Sequence, residues 1–395
     1  MLNTQVCILG AGPAGLALAN MLLKQHIDCI VVDAFSRAEI YARGRAGLIE
    51  CTTASLLDKH NLASTIYQNG TAHDRCEFRT PNFNYLLEYG KIAGGETHYT
   101  YPQNDLVDDL AQIYLDAGGV ILYSTPAERI DQNEAGAQVE CREKNSGEVI
   151  VIQSDFIVGC DGYHGISRQA VPNNAVKIYD KEHDYSWLAI LAHAPPSSDH
   201  IIYALHPDGF AGHMLRNSKI SRFYIQVALG DEIENWSDER IWAALRTRLA
   251  KPGWHLAEGE IFEKRILSMR SYVIEPLSYR RLFLVGDAAH IITPCGGKGM
   301  NLAIQDAGVL AETLGNYFRD NLELTYLNRY SEIRLPYIWR AQEFSLAMLH
   351  MLHKPQGNDA GNVAFMQKIS ESKLAQLLTS PTFAMDFSRN YVGII

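Results

Sequence analysis

The sequence lacks both an excess of positive charge and a long apolar run. Its 35 Lys and Arg residues are outnumbered by 45 Asp and Glu residues, which gives a net charge of −10. Broad nucleic-acid binding is not expected, because it requires a basic surface. No apolar run reaches the roughly 18 residues of a membrane span, so no membrane insertion is expected. The first apolar stretch has no basic segment before it and is interrupted by glycines, which argues against a signal peptide.

Paired cysteines and internal repeats are also missing. The seven cysteines are odd in number, and none stands in a C-x-x-C pair. Neither a disulfide framework nor a metal site is expected, and a cytoplasmic location is predicted. The 395 residues are 47% hydrophobic and 20% charged. Such a composition is typical of a globular protein, and the length predicts two domains or one large α/β unit with an insertion.

The strongest local signal lies near the start of the chain. Residues 6–9 (VCIL) are predicted as a buried strand, the G-x-G-x-x-G turn GAGPAG follows, and residues 14–25 are predicted as an apolar helix. A second predicted strand at 30–32 is followed by Asp33. Glycines at these spacings allow a tight bend and close approach of a pyrophosphate, and the acid can bind a ribose hydroxyl. We interpret this unit as a dinucleotide-binding site rather than as a coincidental glycine turn.

A second strand–loop–helix unit lies at 281–305. A predicted strand at 282–285 (LFLV) ends at Asp287, and an amphipathic helix is predicted from about Gly299. The intervening loop is rich in glycine, so its backbone N–H groups are free beside the positive end of that helix. The loop therefore suits an anion or a developing negative charge, and Asp287 can accept hydrogen bonds from ligand hydroxyl groups.

Two further regions predict sheets. Residues 118–158 are predicted as a β-meander, and residues 180–265 alternate with period two, which is typical of an antiparallel sheet. We interpret the second block as a domain inserted into the first. The predicted division is a discontinuous cofactor domain at 1–72, 98–180 and 268–300, a substrate sheet domain at 73–97 and 181–267, and a helical region at 301–395.

Two helix starts are predicted from capping residues. Ser237 is the predicted N-cap of a helix over 236–249, and Asn104 or Asp105 is the predicted N-cap of a helix that follows Gln103. From Asn301 onwards the apolar stripe predicts packed helices.

Residue type alone leaves two interpretations open for several polar side chains. Arg43 and Arg45 lie either in a solvated basic turn or against the phosphates of a ligand. His73 is either a satisfied or exposed histidine or a proton carrier. Tyr203 and Tyr224 are either ordinary aromatics of a sheet face or residues of a site.

Three motifs, taken in order, resemble one enzyme family. They resemble the motifs of the single-component FAD-dependent aromatic hydroxylases, also called class A flavoprotein monooxygenases: GAGPAG with Asp33, CDGYHGISR at 160–168 and LFLVGDAAHIITPCGGKGMN at 282–301. The resemblance covers essentially the whole chain, including RAGLIE, SWLAILA, WSDER and the NYVG at 390–393. It implies an α/β fold with a Rossmann-like FAD-binding domain, an inserted antiparallel-sheet substrate domain and a C-terminal helical region.

The resemblance also implies FAD as cofactor, NADPH or NADH as reductant, an aromatic acid and O₂ as substrates, and a homodimer. Residues at matching positions fall into four sets. The implied cofactor-binding residues are Gly10, Gly12, Gly15, Asp33, Arg45, Gln103, Arg222, Asp287, Lys298, Gly299 and Asn301. The implied nicotinamide-binding residues are Arg43, His164, Arg168 and Arg270. The implied substrate-binding residues are Arg216, Tyr224, Met214, Tyr203 and Pro294, and the implied catalytic ones are Tyr203, Tyr391, His73 and Pro294.

The implied reaction is hydroxylation of a para-substituted benzoate ortho to its 4-substituent, through a C4a-hydroperoxide of the flavin. In the family, Arg216 and Tyr224 match a carboxylate clamp, for which a bidentate guanidinium is suited. An exposed phenol has a pKa of about 10, so a tyrosine relay ending in a histidine lowers the cost of removing its proton. Conversion of 4-hydroxybenzoate to 3,4-dihydroxybenzoate is the expected reaction, and 4-aminobenzoate or another para-substituted benzoate is the alternative substrate.

Two other functions compete with this expectation. A flavin-dependent halogenase or oxidase shares the fold, but the W-x-W-x-I-P signature of the halogenases is absent from the sequence. A non-catalytic flavin-binding protein would have no need of Tyr203, Tyr391, His73 and Arg216.

The chain departs from the family pattern in two places. Met214 stands where the family usually has a serine of the carboxylate clamp, and Gly212 stands where it usually has leucine. One hydrogen bond, worth about 1.5–3 kcal/mol, is thereby lost, and the pocket is expected to be reshaped. Ala34, Phe35 and Glu39 replace residues of strongly NADPH-selective members, and Glu39 would repel a 2′-phosphate. We therefore expect NADH use or mixed use.

Overall fold

The computed structural model of the chain describes residues 1–43, 47–133, 136–356 and 360–393. Within these ranges the strands are β1 (Leu2–Leu9), β2 (Cys29–Val32), β3 (Leu48–Ile49), β4 (Thr71–His73), β5 (Cys76–Arg79), β6 (Asn84–Leu87), β7 (His98–Thr100), β8 (Val120–Leu122), β9 (Ala127–Gln132), β10 (Ala137–Arg142), β11 (Val149–Gly159), β12 (Lys177–His193), β13 (Ile201–Ala204), β14 (Ala211–Leu215), β15 (Ser221–Val227), β16 (Glu260–Glu275), β17 (Ser278–Tyr279), β18 (Leu282–Leu284) and β19 (His290–Ile291). The α-helices are α1 (Pro13–Leu23), α2 (Arg37–Tyr41), α3 (Cys51–Lys59), α4 (Ser64–Asn69), α5 (Tyr89–Ala93), α6 (Gln103–Asp116), α7 (Asp238–Arg248), α8 (Lys298–Asp320), α9 (Arg329–Leu352), α10 (Ala360–Thr379) and α11 (Pro381–Val392).

A parallel sheet forms the centre of the first layer. Its strands lie in the order β18–β11–β1–β2–β8, with β17 antiparallel at one edge and β10 and β9 added antiparallel to β11. Residues 6–9 of β1 are at most 1% exposed, because helices and sheet neighbours cover both faces. The α/β prediction is confirmed. The meander prediction for 118–158 is wrong for β8, which pairs in parallel with β2 at the edge of this sheet.

The second sheet is almost entirely antiparallel, in the order β19–β16–β12–β15–β14–β13–β5–β6. The predicted alternation is clear in β12. Trp187 and Ala189 belong to the core shared with the first layer, whereas Leu188 and Ile190 pack in a separate cluster beneath α7. One face of the sheet is therefore available to build a site. Ser237 caps α7 as predicted, since its side chain accepts the N–H of Arg240.

Two strands pass through the predicted domain boundaries. β12 begins at Lys177 and β16 continues to Glu275, and the two pair along most of their length. A third, three-stranded sheet has the order β3–β7–β4 and contains His73 at the end of β4. The division of the chain into domains stays a prediction.

Three helices differ in detail from the sequence prediction. α6 begins at Gln103 with Pro102 at its N-cap, so the prediction of Asn104 or Asp105 as the cap is wrong. The segment 73–97, predicted as part of the substrate sheet domain, also contains the helix α5 after β6. α8 begins one residue before the predicted Gly299, as expected for a helix whose boundaries vary by a residue or two. None of the described helices is both long and apolar enough to cross a membrane.

Candidate active site

The glycine turn after β1 combines two crowded positions with one open position. A Cβ at Gly10, where φ is +106°, would lie 2.3 Å from the carbonyl oxygen of Cys160, and a Cβ at Gly15 would lie 2.0 Å from the carbonyl oxygen of Gly10. A Cβ at Gly12 would have no atom within 4 Å. Gly10 and Gly15 are therefore required for packing, whereas the backbone at Gly12 is bare on a side where a phosphate-bearing ligand fits.

Asp33 follows β2 and holds the turn. One carboxylate oxygen accepts the N–H of Ala11 at 2.7 Å, and the other accepts the N–H of Phe35 at 2.8 Å. Burial raises the pKa of Asp33, and the two N–H donors together with the positive charges of Arg43 and Lys144 oppose that rise. Each carboxylate oxygen can accept more than one hydrogen bond, so this side chain can still bind the hydroxyl groups of a ribose.

The remaining cofactor-binding candidates at this end lie on three elements. Gln103 is the first residue of α6 and is half-buried. Asp287 is exposed although both of its neighbours in the chain are buried. Gly299 is the second residue of α8 and is half-buried. Arg45 lies outside the described residues. All four remain predictions.

Lys298 and Asn301 are engaged by the protein itself. The Nζ of Lys298 donates to the carboxylate of Glu50 at 2.7 Å and to the carbonyl of Tyr391 at 2.8 Å. The amide of Asn301 donates to two backbone carbonyls and accepts the N–H of Glu50. Burial lowers the pKa of Lys298, and the charge of Glu50 opposes that shift. These two side chains fix the start of α8 against β3 and against the last helix, which positions the glycine loop.

Three of the four nicotinamide-binding candidates meet at one aromatic ring that the sequence prediction missed. Arg168 lies 3.9 Å and Arg270 4.9 Å from the ring centre of Tyr163, and the ring of His164 approaches its edge at 5.1 Å. Arg270 also forms an ion pair with Asp180.

Arg43 is placed elsewhere. Its guanidinium lies 3.5 Å from the ring centre of Phe35, close to the Asp33 end of the cofactor turn. The structure therefore does not unite this candidate with the other three, and both interpretations of Arg43 stay predictions.

A cavity of about 70 Å³ lies between the second sheet, the β3–β7 region and the glycine loop. It is lined by Gly47, Leu48, Thr100, Pro102, Trp187, Ile201, Tyr203, Met214, Leu215, Arg216, Arg222, Tyr224, Pro294 and Gly297. Two of these described residues are arginines and none is Asp or Glu. Burial and the neighbouring charge of Arg222 lower the pKa of Arg216. A cavity with two cations and no lining acid favours an anionic ligand.

The arginine region is built on strand β15 and the end of β14. A guanidinium nitrogen of Arg222 lies 3.4 Å from the hydroxyl of Tyr224, and Arg216 donates to the side-chain oxygen of Asn104 at 3.2 Å. The ring of Tyr224 packs at 4.5 Å from that of Trp187, which forms an apolar wall. The clamp candidates Arg216 and Tyr224 both line this cavity, and their role as a carboxylate clamp stays a prediction.

Met214 and Gly212 are coupled by packing. A Cβ at Gly212 would lie 2.9 Å from the terminal methyl of Met214 and 3.0 Å from the ring of Phe210. The leucine that the family usually has at 212 would therefore require the flexible end of this methionine to shift. The two departures from the family pattern form one local change, in which a thioether replaces a hydroxyl at the cavity wall.

A tyrosine pair lies on the cavity wall and behind it. The hydroxyls of Tyr203 and Tyr391 are 2.9 Å apart, and burial raises the pKa of each. Among the described residues, His73 forms no hydrogen bond with this pair. Its Nδ1 instead bonds to the hydroxyl of Tyr89 at 2.9 Å. Burial lowers the pKa of His73 to about 4. Pro294 lines the cavity, and its carbonyl already accepts the N–H of Gly297 at 3.1 Å, which leaves one lone pair for a ligand.

Four contributing residues were missed as site residues. Trp187 lies on the cavity side of β12, and the period-two pattern of SWLAILA could have placed it there. Asn104, interpreted as a cap, instead contacts Arg216. Tyr163 lies inside the CDGYHGISR motif beside His164, so that motif could have indicated it. Tyr89 had no signal in the sequence, because its role depends on folding that brings it to His73 and Tyr391.

Comparison with known proteins gives a family match and similar curated proteins. Residues 3–345 match the family model described as FAD binding domain. The p-hydroxybenzoate hydroxylase of Acinetobacter baylyi is 34% identical over 394 residues, which cover 100% of this chain and 96% of that protein. The 3-amino-4-hydroxybenzoate 2-monooxygenase of Streptomyces platensis is 25% identical over 89% of each chain.

Solved structures with the same fold are more distant in sequence. The p-nitrophenol 4-monooxygenase of Pseudomonas putida has a TM-score of 0.83 at 18% identity and covers 99% of this chain and 97% of its own. Aklavinone-11 hydroxylase in complex with FAD and aklavinone has a TM-score of 0.74 at 18% identity over 89% of this chain and 69% of its own. At these identities the likeness shows the fold alone.

Proposed function

Because this chain belongs to the FAD-dependent aromatic hydroxylases, the class A flavoprotein monooxygenases, we propose that it hydroxylates a para-substituted benzoate ortho to the 4-substituent. The preferred substrate in this proposal is 4-hydroxybenzoate, and its product is 3,4-dihydroxybenzoate. The observation that supports the substrate class is a cavity lined by two arginines, by apolar walls and by Tyr203, whose hydroxyl bonds to the buried Tyr391 behind it.

Strand register sets the distance between the two tyrosines of the cavity wall, and that distance suits one substituted ring. Tyr203 on β13 pairs with Gly212 on β14, which pairs with Tyr224 on β15. The two tyrosines are therefore separated by two strand spacings, about 10 Å between backbones. A flat ring with an acid at one para position and a hydroxyl at the other matches that separation, with its carboxylate near Tyr224 and its hydroxyl near Tyr203.

FAD is the cofactor of this family, and the glycine turn fits it. Gly10, Gly12 and Gly15 with Asp33 would hold its ADP half, since the backbone at Gly12 is bare and Asp33 can still accept hydrogen bonds. When bound and reduced by NAD(P)H, FAD supplies the activation of O₂. The chain itself supplies binding, orientation and proton handling.

Carboxylate binding falls to Arg216, Arg222 and Tyr224 in this proposal. Two neighbouring guanidinium groups repel each other, and an incoming carboxylate removes that penalty while it forms charge-assisted hydrogen bonds. The apolar walls at Trp187 and Met214 exclude water, which strengthens those bonds.

Proton removal from the substrate hydroxyl falls to Tyr203, backed by Tyr391. A neutral tyrosine pair at 2.9 Å can accept a proton at one hydroxyl as it releases one from the other. The carbonyl of Pro294 can accept the same substrate hydroxyl and hold it toward Tyr203. The ring becomes electron-rich only as the proton leaves, which favours oxygen insertion at the adjacent carbon.

A second candidate substrate is 4-aminobenzoate. Met214 lines the cavity in place of a hydroxyl, so the acid-binding region differs from the family pattern. An amine activates the ring without losing a proton, so such a substrate would not require the tyrosine pair. Retention of that pair at 2.9 Å favours the hydroxyl compound.

A panel of para-substituted benzoates tests the proposal. The FAD-loaded protein is mixed with NADH or NADPH and each acid, and hydroxylated product and hydrogen peroxide are both measured. The expected result is tight coupling of NAD(P)H oxidation to product with 4-hydroxybenzoate and weaker coupling with 4-aminobenzoate. Release of peroxide alone with every acid would overturn the proposed reaction, and the reverse order of coupling would select the amine.

We further propose that NADH serves at least as well as NADPH. Glu39 accepts from the N–H and hydroxyl of Ser36, both at 2.8 Å, in the capping box of α2. Hydrogen bonds from Ser36 lower the pKa of Glu39, so it is charged at neutral pH and repels a 2′-phosphate.

We predict that Glu39→Gln raises kcat/KM for NADPH and leaves kcat/KM for NADH unchanged. Equal effects on both nucleotides would count against this role.

A further inference from the structure

Two hydrogen-bonded segments approach each other behind the cavity without joining. The first connects the hydroxyls of Tyr203 and Tyr391 at 2.9 Å. The second runs from the Tyr89 hydroxyl to Nδ1 of His73 at 2.9 Å, and from Nε2 of His73 to the Thr100 hydroxyl at 3.2 Å. The rings of Tyr391 and Tyr89 are 4.8 Å apart, but their hydroxyls share no hydrogen bond in the described structure. A proton leaving Tyr391 therefore needs a further group to reach His73.

His98 lies beside this gap. Its ring centre is 5.3 Å from that of Tyr391, 4.9 Å from that of Tyr89 and 5.9 Å from that of His73. It is the first residue of β7, and its side chain is 0% exposed. No other described histidine has a recorded ring contact with both Tyr391 and Tyr89. This imidazole is therefore in contact with both segments at once.

Both ring nitrogens of His98 lack a full hydrogen bond among the described residues. A contact with the backbone of Val392 opposes the effect of burial on the pKa of this ring. A buried polar atom without a partner costs about 1–3 kcal/mol, and such atoms in native proteins usually have a partner or a function. Phenylalanine would give the same stacking without this cost, so packing alone does not explain an imidazole here.

We propose that His98 joins the two segments through one buried water, so that a proton released by Tyr391 passes to Tyr89 and His73. The inference rests on the proposed function, because it needs a substrate hydroxyl that donates to Tyr203. A buried water requires several polar partners, and both imidazole nitrogens of His98 are buried without one beside the rings of Tyr391 and Tyr89. His98 acts through Tyr391 and does not touch the substrate.

The proton balance of this path is simple. The substrate O–H bond breaks, Tyr203 gains that proton and gives its own to Tyr391, and Tyr391 gives its own through water to one nitrogen of His98. His98 then releases the proton on its other nitrogen toward Tyr89. The Tyr89 hydroxyl lies 2.9 Å from Nδ1 of His73 and 2.8 Å from its carbonyl, so it can turn between two acceptors as the proton passes. One phenolate forms, and one proton arrives at His73.

The groups around His98 disfavour a proton that stays on its ring and favour its transfer onward. The titratable groups that face His98 are Tyr391 on α11, Tyr89 on α5, His73 on β4 and Lys298 at the start of α8. Burial lowers the pKa of His98 well below its ordinary value, and a proton on His73 or the charge of Lys298 lowers it further. An imidazolium at this place is short-lived, as a relay group requires.

Two variants separate the relay from packing. His98→Gln keeps hydrogen-bonding capacity and removes titration, and His98→Phe keeps the stacked ring and removes both nitrogens. The FAD-loaded proteins are mixed with 4-hydroxybenzoate and jumped from pH 6 to pH 8.5, and phenolate formation is followed by stopped-flow absorbance. We expect an unchanged Kd for substrate at pH 6 and a rate of phenolate formation at least tenfold slower in both variants.

His213 supplies a matched control. It is also a fully buried imidazole with one unpartnered ring nitrogen, but it lies on β14 and has no recorded contact with the relay rings. His213→Gln should leave the phenolate rate at the wild-type value. A wild-type rate in His98→Gln, or an equal slowing in His213→Gln, would overturn the assignment.

A measurement on the wild-type protein keeps the inference testable if the variants do not fold. With ¹⁵N-labelled histidine, the ring-nitrogen shifts of His98 should change when 4-hydroxybenzoate binds and stay constant when benzoate binds. If the ring-nitrogen shifts respond equally to 4-hydroxybenzoate and to benzoate, His98 is not part of the proton path. If the wild-type protein forms no phenolate from bound 4-hydroxybenzoate, the proposed function itself fails, and that outcome is distinct from a His98 variant that behaves as wild type.

Discussion

Tyr203 has surroundings that restrict its hydroxyl to one partner within the protein. The side chain is 3% exposed, its ring stacks on Phe78 at 5.5 Å, and among the described residues its hydroxyl bonds only to that of Tyr391. Because the ring keeps its stacking on Phe78 without the hydroxyl, removing the hydroxyl should leave packing almost intact. Its loss is therefore a test of proton handling and not of folding.

Tyr203→Phe should retain FAD and bind 4-hydroxybenzoate while product formation falls by about 10²-fold or more, the usual size of a lost general base. Product should be measured against NAD(P)H consumed at several pH values. Tyr85→Phe, at a half-buried tyrosine of β6, is the control and should change neither quantity. Unchanged coupling in Tyr203→Phe would refute the proposed role.

Met214→Ser should tighten binding of 4-hydroxybenzoate. The introduced hydroxyl can donate to the carboxylate near Arg216, and a hydrogen bond to a charged group is worth about 1.5 kcal/mol or more, roughly tenfold in Kd. Phenol has no carboxylate, so its affinity should not improve in the variant. Isothermal titration with both ligands measures the difference, and weaker binding of the benzoate would contradict the idea.

At the residue scale, side chains that match a family motif could be predicted as site residues from the sequence. Side chains that reach the site only through folding could not. Arg216 and Tyr203 match family motifs, and the structure places both at one cavity. His98 and Tyr89 lie in short elements without a motif, and only the packing of β7 and α5 against α11 brings them to Tyr391. Local sequence contains no information about such long-range contacts.

At the element scale, the turn between β1 and α1 assigns different tasks to its glycines. Gly15 is required because a Cβ there would meet the carbonyl oxygen of Gly10 at 2.0 Å. Gly12 has an ordinary φ of −82° and open space around its Cα, so alanine is compatible with its backbone.

The two positions should therefore respond differently to alanine. Gly12→Ala should leave the melting temperature of the cofactor-free protein unchanged and weaken FAD binding about tenfold or more, because the added methyl occupies the space that suits the pyrophosphate. Gly15→Ala should lower both the melting temperature and FAD binding. Calorimetry without FAD and fluorescence titration with FAD supply the two readouts. A destabilised Gly12→Ala apoprotein would show that its role is structural.

Elements with strong periodicity were predictable, and short ones were not. The alternation of β12 and the capping of α7 by Ser237 follow from side-chain pattern and agree with the structure. β8 is a three-residue strand, and nothing in three residues distinguishes a parallel edge from a meander. α5 spans five residues, so its existence depends on tertiary packing more than on helix propensity.

At the scale of the whole molecule, neutral histidines are spread through the core. Burial lowers the pKa of His73 to about 4 and those of His213 and His353 to about 3, and it lowers the pKa of His98 well below its ordinary value. All four are neutral in the folded protein at pH values where an unfolded chain, with a histidine pKa of about 6.5, takes up protons.

The FAD-loaded protein should therefore lose stability as the pH falls below about 6.5, and the loss should continue to about pH 4. His73 alone would contribute about 3 kcal/mol over this window. Glu77 titrates in a lower range: burial raises its pKa, but hydrogen bonds from His200, Arg79 and Lys251 bring it to about 2. Melting temperatures at pH 7.5, 6 and 5 measure the effect, and a constant value down to pH 5 would contradict it.

The helix α11 is the last described element of the chain, yet it supplies Tyr391 to a site whose other parts begin at residue 10. During synthesis the glycine turn, Asp33 and the arginines leave the ribosome long before this helix does. A nascent chain, or one whose synthesis stops early, would contain the glycine turn and the arginines of the cavity. It would lack Tyr391, the second member of the tyrosine pair. Coupling of reductant use to product formation thus depends on the twelve residues of α11, because a chain that lacks them could consume reductant while releasing peroxide.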